Sequence, residues 1–155
     1  MILSEIFFFH LFVFAVLGVV TGSFASAMLY RVPLGYSWGW CSDRGEMVRS
    51  ACPHCRHILT VGDLIPIFSW LFLRGCCRYC REAISLQYIF LESLSLLVAI
   101  GIYLFSGWHL ESFVLLALLP FMLTQIMLLY QYKSSSKQLW IIVAFIALFY
   151  VFLQF

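Results

Sequence analysis

Apolar stretches long enough to cross a bilayer constrain this chain more than any other feature. The first runs from about Ile6 to Leu29, the second from about Ile84 to Phe105, the third from about Phe113 to Tyr132 and the fourth from about Gln138 to Phe155. A helix needs roughly 20 predominantly apolar residues to span the hydrocarbon. Only 10% of the 155 residues are charged, against about a quarter in soluble domains. The expected fold is an all-α integral membrane protein with about four transmembrane helices. Three segments follow: 1–30 as the first transmembrane helix, 31–83 as a basic loop, and 84–155 as three further transmembrane helices.

The net charge of +2 says less than where the cations sit. Arg31, Arg44, Arg49, Arg56, Arg74, Arg78 and Arg81 all fall between the first two apolar stretches, and Lys133 and Lys137 flank the break before the fourth. The intervening break, Ser106 to Glu111, has none. The positive-inside rule then places both basic loops in the cytoplasm and both termini outside. This pattern speaks of topology and membrane lipid, not of nucleic-acid binding. Ala25-Ser26-Ala27 resembles a signal-peptide cleavage site, but the segment starts with Glu5 instead of a basic region, and its first cation follows the apolar run.

Two cysteine pairs lie in the basic loop: Cys52-Pro53-His54-Cys55 and Cys77-Arg78-Tyr79-Cys80. A two-residue gap lets both thiolates of a tight turn face one ion, and two such turns fill a closed tetrahedral site. Cys52, Cys55, Cys77 and Cys80 are therefore the expected ligands of a structural Zn(2+), which leaves no open position for water or substrate. In the cytoplasm these thiols would stay reduced. Cys76, next to Cys77, leaves the ligand choice there ambiguous, although the spacing favours Cys77. His54 and His57 are reserve ligands, and Cys41 reads as a buried or interfacial thiol.

Between the pairs, Gly62 to Leu73 is strongly apolar, too short to span, and interrupted by Pro66. Such a segment lies in the membrane interface or dips in beside other helices. Asp63 either caps it or contacts a substrate. Glu92, about eight residues into the second span, is costly there unless paired or hydrated. It is functional, or the partner of a loop arginine such as Arg78 or Arg81, or simply protonated at modest depth. Gly18 and Gly22 have the spacing of a close helix–helix contact. His10 reads as a satisfied core histidine, and Thr124 and Gln125 as polar groups bonding a neighbouring helix.

Taken in order, several stretches resemble the bacterial type IV prepilin leader peptidases. They are Gly22-Ser23-Phe24, Tyr30-Arg31-Val32-Pro33, Cys52-Pro53-His54-Cys55, Asp63-Leu64-Ile65-Pro66-Ile67-Phe68-Ser69-Trp70, Arg74-Gly75, Cys77-Arg78-Tyr79-Cys80, Ile84-Ser85, Tyr88 and Leu91-Glu92. The resemblance covers about residues 18 to 100. It implies a multi-pass inner-membrane enzyme that cleaves the leaders of prepilins or type II secretion pseudopilins. It also implies methylation of the new amino terminus from S-adenosylmethionine. It matches the four cysteines to the family's cysteine tetrad, and Asp63 and Glu92 to other recurrent positions.

The family's proteolysis uses two aspartates on later helices, one in a Gly-x-Gly-Asp motif. This sequence has two aspartates, Asp43 and Asp63, both in the loop, and no such motif. Catalytic residues are therefore unassigned, with Asp63 and Glu92 the nearest candidates. The expectation is an amino-terminal module whose proteolytic half is missing or eroded. The alternative is a catalytically inactive remnant or adaptor that binds prepilins. Because the loop's arginines would repel a basic leader, substrate contact is expected at Asp43, Glu46, Asp63 and Glu82.

Overall fold

The computed structural model describes residues 2–34 and 49–154. Arg44, Cys41, Asp43 and Glu46, to which the sequence assigns roles, lie outside them, as does Phe155 at the end of the fourth stretch. The described residues form five helices and no β-strand: α1 (Ile2–Arg31), α2 (Phe68–Phe72), α3 (Leu86–Ser106), α4 (Leu110–Tyr132) and α5 (Lys137–Gln154). Three of them, α1, α3 and α4, are long and apolar enough to cross a membrane. The helix α5 is apolar but shorter, so the fourth expected span lies at the lower edge of membrane length.

Glycine decides how the bundle closes. On α1, a Cβ at Gly18 would lie 2.5 Å from the Ala99 Cβ, and one at Gly22 would lie 2.7 Å from the Glu92 Cα. The backbones of α1 and α3 therefore touch directly, as the small-residue spacing of Gly18 and Gly22 predicts. In a bilayer, where lipid is as apolar as leucine, such close packing supplies much of the attraction between helices.

Two buried clusters follow from that contact. Toward the cysteine loop, Ala25, Met28, Leu29, Leu91, Leu123, Leu128 and Leu139 pack together. Toward the opposite end, Phe14 packs with Ala99, Tyr103 and Leu116. There His10 stacks on Trp108 with ring centres 4.1 Å apart, within an aromatic cluster. Most other phenylalanines of α1 and α5 face outward, as they would toward lipid.

The polar residues of α4 serve packing. Thr124 Oγ1 donates to the Pro120 carbonyl at 2.7 Å within its own helix and reaches Ala25 O of α1 at 3.3 Å. Gln125 differs from the expectation of a helix partner. Its amide donates to Ser136 O at 2.7 Å and its carbonyl accepts from Ser136 N at 3.2 Å. A buried amide has both a donor and an acceptor to satisfy, and one backbone residue of the α4–α5 loop meets both.

Candidate metal centre

Each cysteine pair lies in its own tight hairpin, and the two hairpins have the same bonding pattern. In Ser50–Leu59 the backbone bonds run Cys52 N to His57 O (3.0 Å), Arg56 N to Cys52 O (2.9 Å) and Leu59 N to Ser50 O (2.9 Å). In Gly75–Ile84 they run Cys77 N to Glu82 O (2.8 Å), Arg81 N to Cys77 O (3.0 Å) and Ile84 N to Gly75 O (2.7 Å). Single antiparallel bridges, Ala51 with Ile58 and Cys76 with Ala83, complete the correspondence. In both, the arginine after the second cysteine adopts positive φ, 56° at Arg56 and 62° at Arg81. That conformation costs about 1–2 kcal/mol for a residue with a Cβ. In the second hairpin amide N–H groups face the Cys77 and Cys80 sulfurs. The correspondence is visible in sequence when Ala51-Cys52-Pro53-His54-Cys55-Arg56 is laid over Cys76-Cys77-Arg78-Tyr79-Cys80-Arg81.

The two hairpins bring together the Sγ atoms of Cys52, Cys55, Cys77 and Cys80, all within 4.8 Å of one another. Cys52 and Cys77 are buried, whereas Cys55 and Cys80 face outward. The Cys52 and Cys80 sulfurs are 3.8 Å apart. A tetrahedron with zinc–sulfur bonds of about 2.3 Å has edges of about 3.8 Å, so the donor set fits Zn(2+). A disulfide needs about 2.05 Å, and the five described cysteines are free thiols.

The structure resolves the ambiguity at Cys76 in favour of Cys77. Cys76 turns away, its Sγ 3.6 Å from the Arg74 carbonyl. His54 and His57 stand outside the cluster; His57 instead stacks on Tyr79 of the other hairpin, ring centres 3.6 Å apart.

The electrostatics favour one thiolate first. Backbone N–H groups of Cys80 and Tyr79 aimed at the Cys77 sulfur bring its thiol down to about 7, against burial. At Cys80 the Glu82 N–H pulls downward, but burial and the neighbouring sulfurs of Cys77, Cys55 and Cys52 push it up to about 12. Crowded sulfurs resist further negative charge unless a cation offsets it.

Gly75 joins this centre to the apolar segment. Its φ is +70°, and an added Cβ would lie 2.7 Å from the Trp70 ring. Gly75→Ala therefore meets both left-handed strain and an indole. Together these are expected to cost about 2–4 kcal/mol. A chelator competition assay should show zinc affinity falling by at least tenfold.

Asp63 caps the turn Val61–Leu64. Its Oδ2 accepts from the Thr60 hydroxyl at 2.7 Å and from Thr60 N at 3.0 Å. Its Oδ1 lies 2.7 Å from Arg78 Nε, and the side chain is 2% exposed. The Thr60 hydroxyl above all, helped by the Thr60 N–H and the Arg78 guanidinium, outweighs burial and holds its carboxyl below the usual aspartate range. Of the two expected roles, the structure shows the cap.

Glu92 is buried too, but its partner is not the expected arginine, because Arg78 is taken by Asp63. Its Oε2 accepts from the backbone N–H of Ile67 at 2.6 Å, and its side chain also bonds that of Ser23 on α1. Asp63 bonds Thr60 and Arg78 while Glu92 bonds Ile67 and Ser23, and among the described residues no hydrogen bond joins the two carboxyls. The bond from Glu92 to Ile67 has no sequence signature, since an acceptor for a distant backbone N–H leaves no pattern in residue type.

Fold and site together define a helical membrane protein whose loop carries a cluster of four cysteines able to hold a metal ion. Residues 16–106 match the model of the Bacterial Peptidase A24 N-terminal domain, and the chain belongs to the prepilin leader peptidase family. It is 35% identical over 113 residues to a Prepilin leader peptidase/N-methyltransferase of Vibrio cholerae serotype O1, covering 70% of this chain and 44% of that protein. It is 34% identical over 114 residues to a Type 4 prepilin-like proteins leader peptide-processing enzyme of Escherichia coli O78:H11, covering 64% and 42%. A Prepilin leader peptidase/N-methyltransferase of Pectobacterium carotovorum is 36% identical over 96 residues, covering 53% and 34%. The matches thus span between about a third and under half of these relatives' length. No solved structure matches the chain.

Proposed function

We propose that this chain acts in the bacterial inner membrane on prepilin or pseudopilin substrates, with its cysteine loop in the cytoplasm and a structural Zn(2+) on Cys52, Cys55, Cys77 and Cys80. The observation that carries this reading is the coincidence of the family match with the assembled centre, since residues 16–106 contain both hairpins and the α1–α3 contact beneath them. The zinc locks two small hairpins that have little core of their own. The cation pattern supports the orientation.

Methyl transfer comes to this chain by family. S-adenosylmethionine needs partners for a carboxylate, an ammonium and an adenine. The cavity of about 260 Å³ between α4 and α5, lined by Phe113, Val114, Ala117, Phe145, Ile146 and Phe149, supplies none of them. Aspartyl proteolysis needs two carboxylates sharing a proton. Asp63 is committed to Thr60 and Arg78, so cleavage is not assigned to these residues.

Co-expression with a type IV prepilin, read by mass spectrometry, tests the proposal. The expected result is a methylated amino terminus on precleaved pilin with no shortening of the intact precursor. If neither methylation nor cleavage occurs, the enzymatic reading fails. Copurification with prepilin or with a full-length peptidase, without turnover, would then support the adaptor.

A further inference from the structure

The segment between the two hairpins is built around one strained residue. Ile67 has φ 62° and ψ −53°, and Phe68 N donates to Pro66 O at 2.6 Å across it. This is a γ-turn of the rare positive-φ kind, costly for a β-branched residue. Such strain persists only where the surroundings over-determine it. What holds it is the 2.6 Å bond from Ile67 N to the buried Glu92 carboxylate of α3.

That bond fixes a depth. Glu92 is six residues past the first residue of α3, Leu86, so the turn lies about 9 Å along the helix axis from its start. The segment therefore leaves the hairpins, descends beside a membrane-spanning helix, and returns. Backbone at that depth must have its hydrogen bonds met by protein. Pro66 has no donor, Phe68 N finds Pro66 O, Ser69 N finds Ile65 O at 2.9 Å, and Ile67 N finds Glu92.

The outward face matches this placement. Ile65, Phe68, Leu71 and Phe72 fall at helical spacing and are each 48–83% exposed, whereas Ser69 and Trp70 turn inward. Phe90, on the same stretch of α3, is exposed as well. Exposed Arg74 stands where the segment rejoins the second hairpin. An apolar face at acyl-chain depth with a cation at its rim is complementary to an anionic bilayer.

We propose that Leu64–Leu73 is a re-entrant wedge seated among the acyl chains of the leaflet on the cysteine-loop side, with Glu92 as its anchor and Arg74 on lipid phosphates. The wedge would hold the metal centre against the membrane surface whether or not the chain processes leaders. Its partner is lipid, and its failure is separable from failure of the enzymatic reading.

The test reconstitutes the full chain in vesicles of phosphatidylethanolamine and phosphatidylglycerol containing a lipid with an acyl-chain diazirine, then maps photoadducts by mass spectrometry. Adducts are expected on Ile65, Phe68, Leu71 and Phe72 as well as on outward residues of α4. In Glu92→Leu the wedge adducts should fall severalfold, because the buried Ile67 N–H loses its acceptor. In Glu92→Gln, which keeps an acceptor oxygen, most of them should remain. Unchanged α4 adducts show that the bundle still folds; if Glu92→Leu loses them too, the unsubstituted chain and Glu92→Gln carry the test. A wedge free of adducts in the unsubstituted chain overturns the proposal. So does labelling that Glu92→Leu leaves unchanged while the bundle is intact, or that Glu92→Gln abolishes.

Discussion

Cys77→Ser is expected to reduce bound zinc from about one ion per chain to near none, while the neighbouring Cys76→Ser leaves it unchanged. The contrast follows from geometry: the Cys77 sulfur lies in the four-sulfur cluster, and Cys76 points at the Arg74 carbonyl. Binding of a structural zinc supplies on the order of 10 kcal/mol to folding in zinc-finger peptides, more than two short hairpins hold by packing. Loss of the ion should therefore melt both hairpins, read as protease cleavage within 49–85 while the apolar helices stay protected. Metal analysis of the purified variants decides the matter, and equal zinc content in the two would refute the assignment. The pH dependence has a definite sign. Without metal, Cys80 is a thiol at neutral pH, since its folded value is pushed up to about 12. Binding must therefore expel protons, so zinc affinity should fall as pH is lowered.

Gly22→Val should be the most damaging single change in the bundle. Its Cβ would lie 2.7 Å from Glu92 Cα, 2.8 Å from Leu91 O and 2.8 Å from Ser95 Oγ. Two of these three neighbours are backbone, which cannot swing aside, so α1 and α3 must separate. Overpacking costs about 1–3 kcal/mol where side chains can adjust. Here the upper end or more is expected, because separation also removes Ser23 from Glu92 and opens the wedge anchor. Gly101→Val is the matched control, since a Cβ there meets nothing within 4 Å. Detergent-solubilised Gly22→Val should unfold at clearly lower temperature than Gly101→Val. Equal stability would show that the α1–α3 contact does not hold the bundle.

What was legible depended on whether a residue's role is local. The CxxC turns, the small-residue spacing of Gly18 and Gly22, and the capping by Asp63 are each expressed within a few residues of sequence. Each was readable because one helix face or one turn contains the whole device. The partner of Glu92 was misread because charge alone suggested an arginine, whereas Arg78 lies against Asp63 and the free acceptor was filled by a backbone N–H. Gln125 was misread for the same reason: a polar residue in an apolar helix announces a need, not the group that meets it.

The order of apolar and basic segments, taken alone, determined that this chain is a helical membrane protein with a cysteine-paired loop, because hydrocarbon tolerates only backbones that bond to themselves. Choosing Cys77 over Cys76, pairing the two hairpins and descending the segment around Ile67 were decided only in three dimensions. Those features depend on contacts between residues distant in sequence, and the energy of such a contact belongs to the pair and is invisible in either residue by itself.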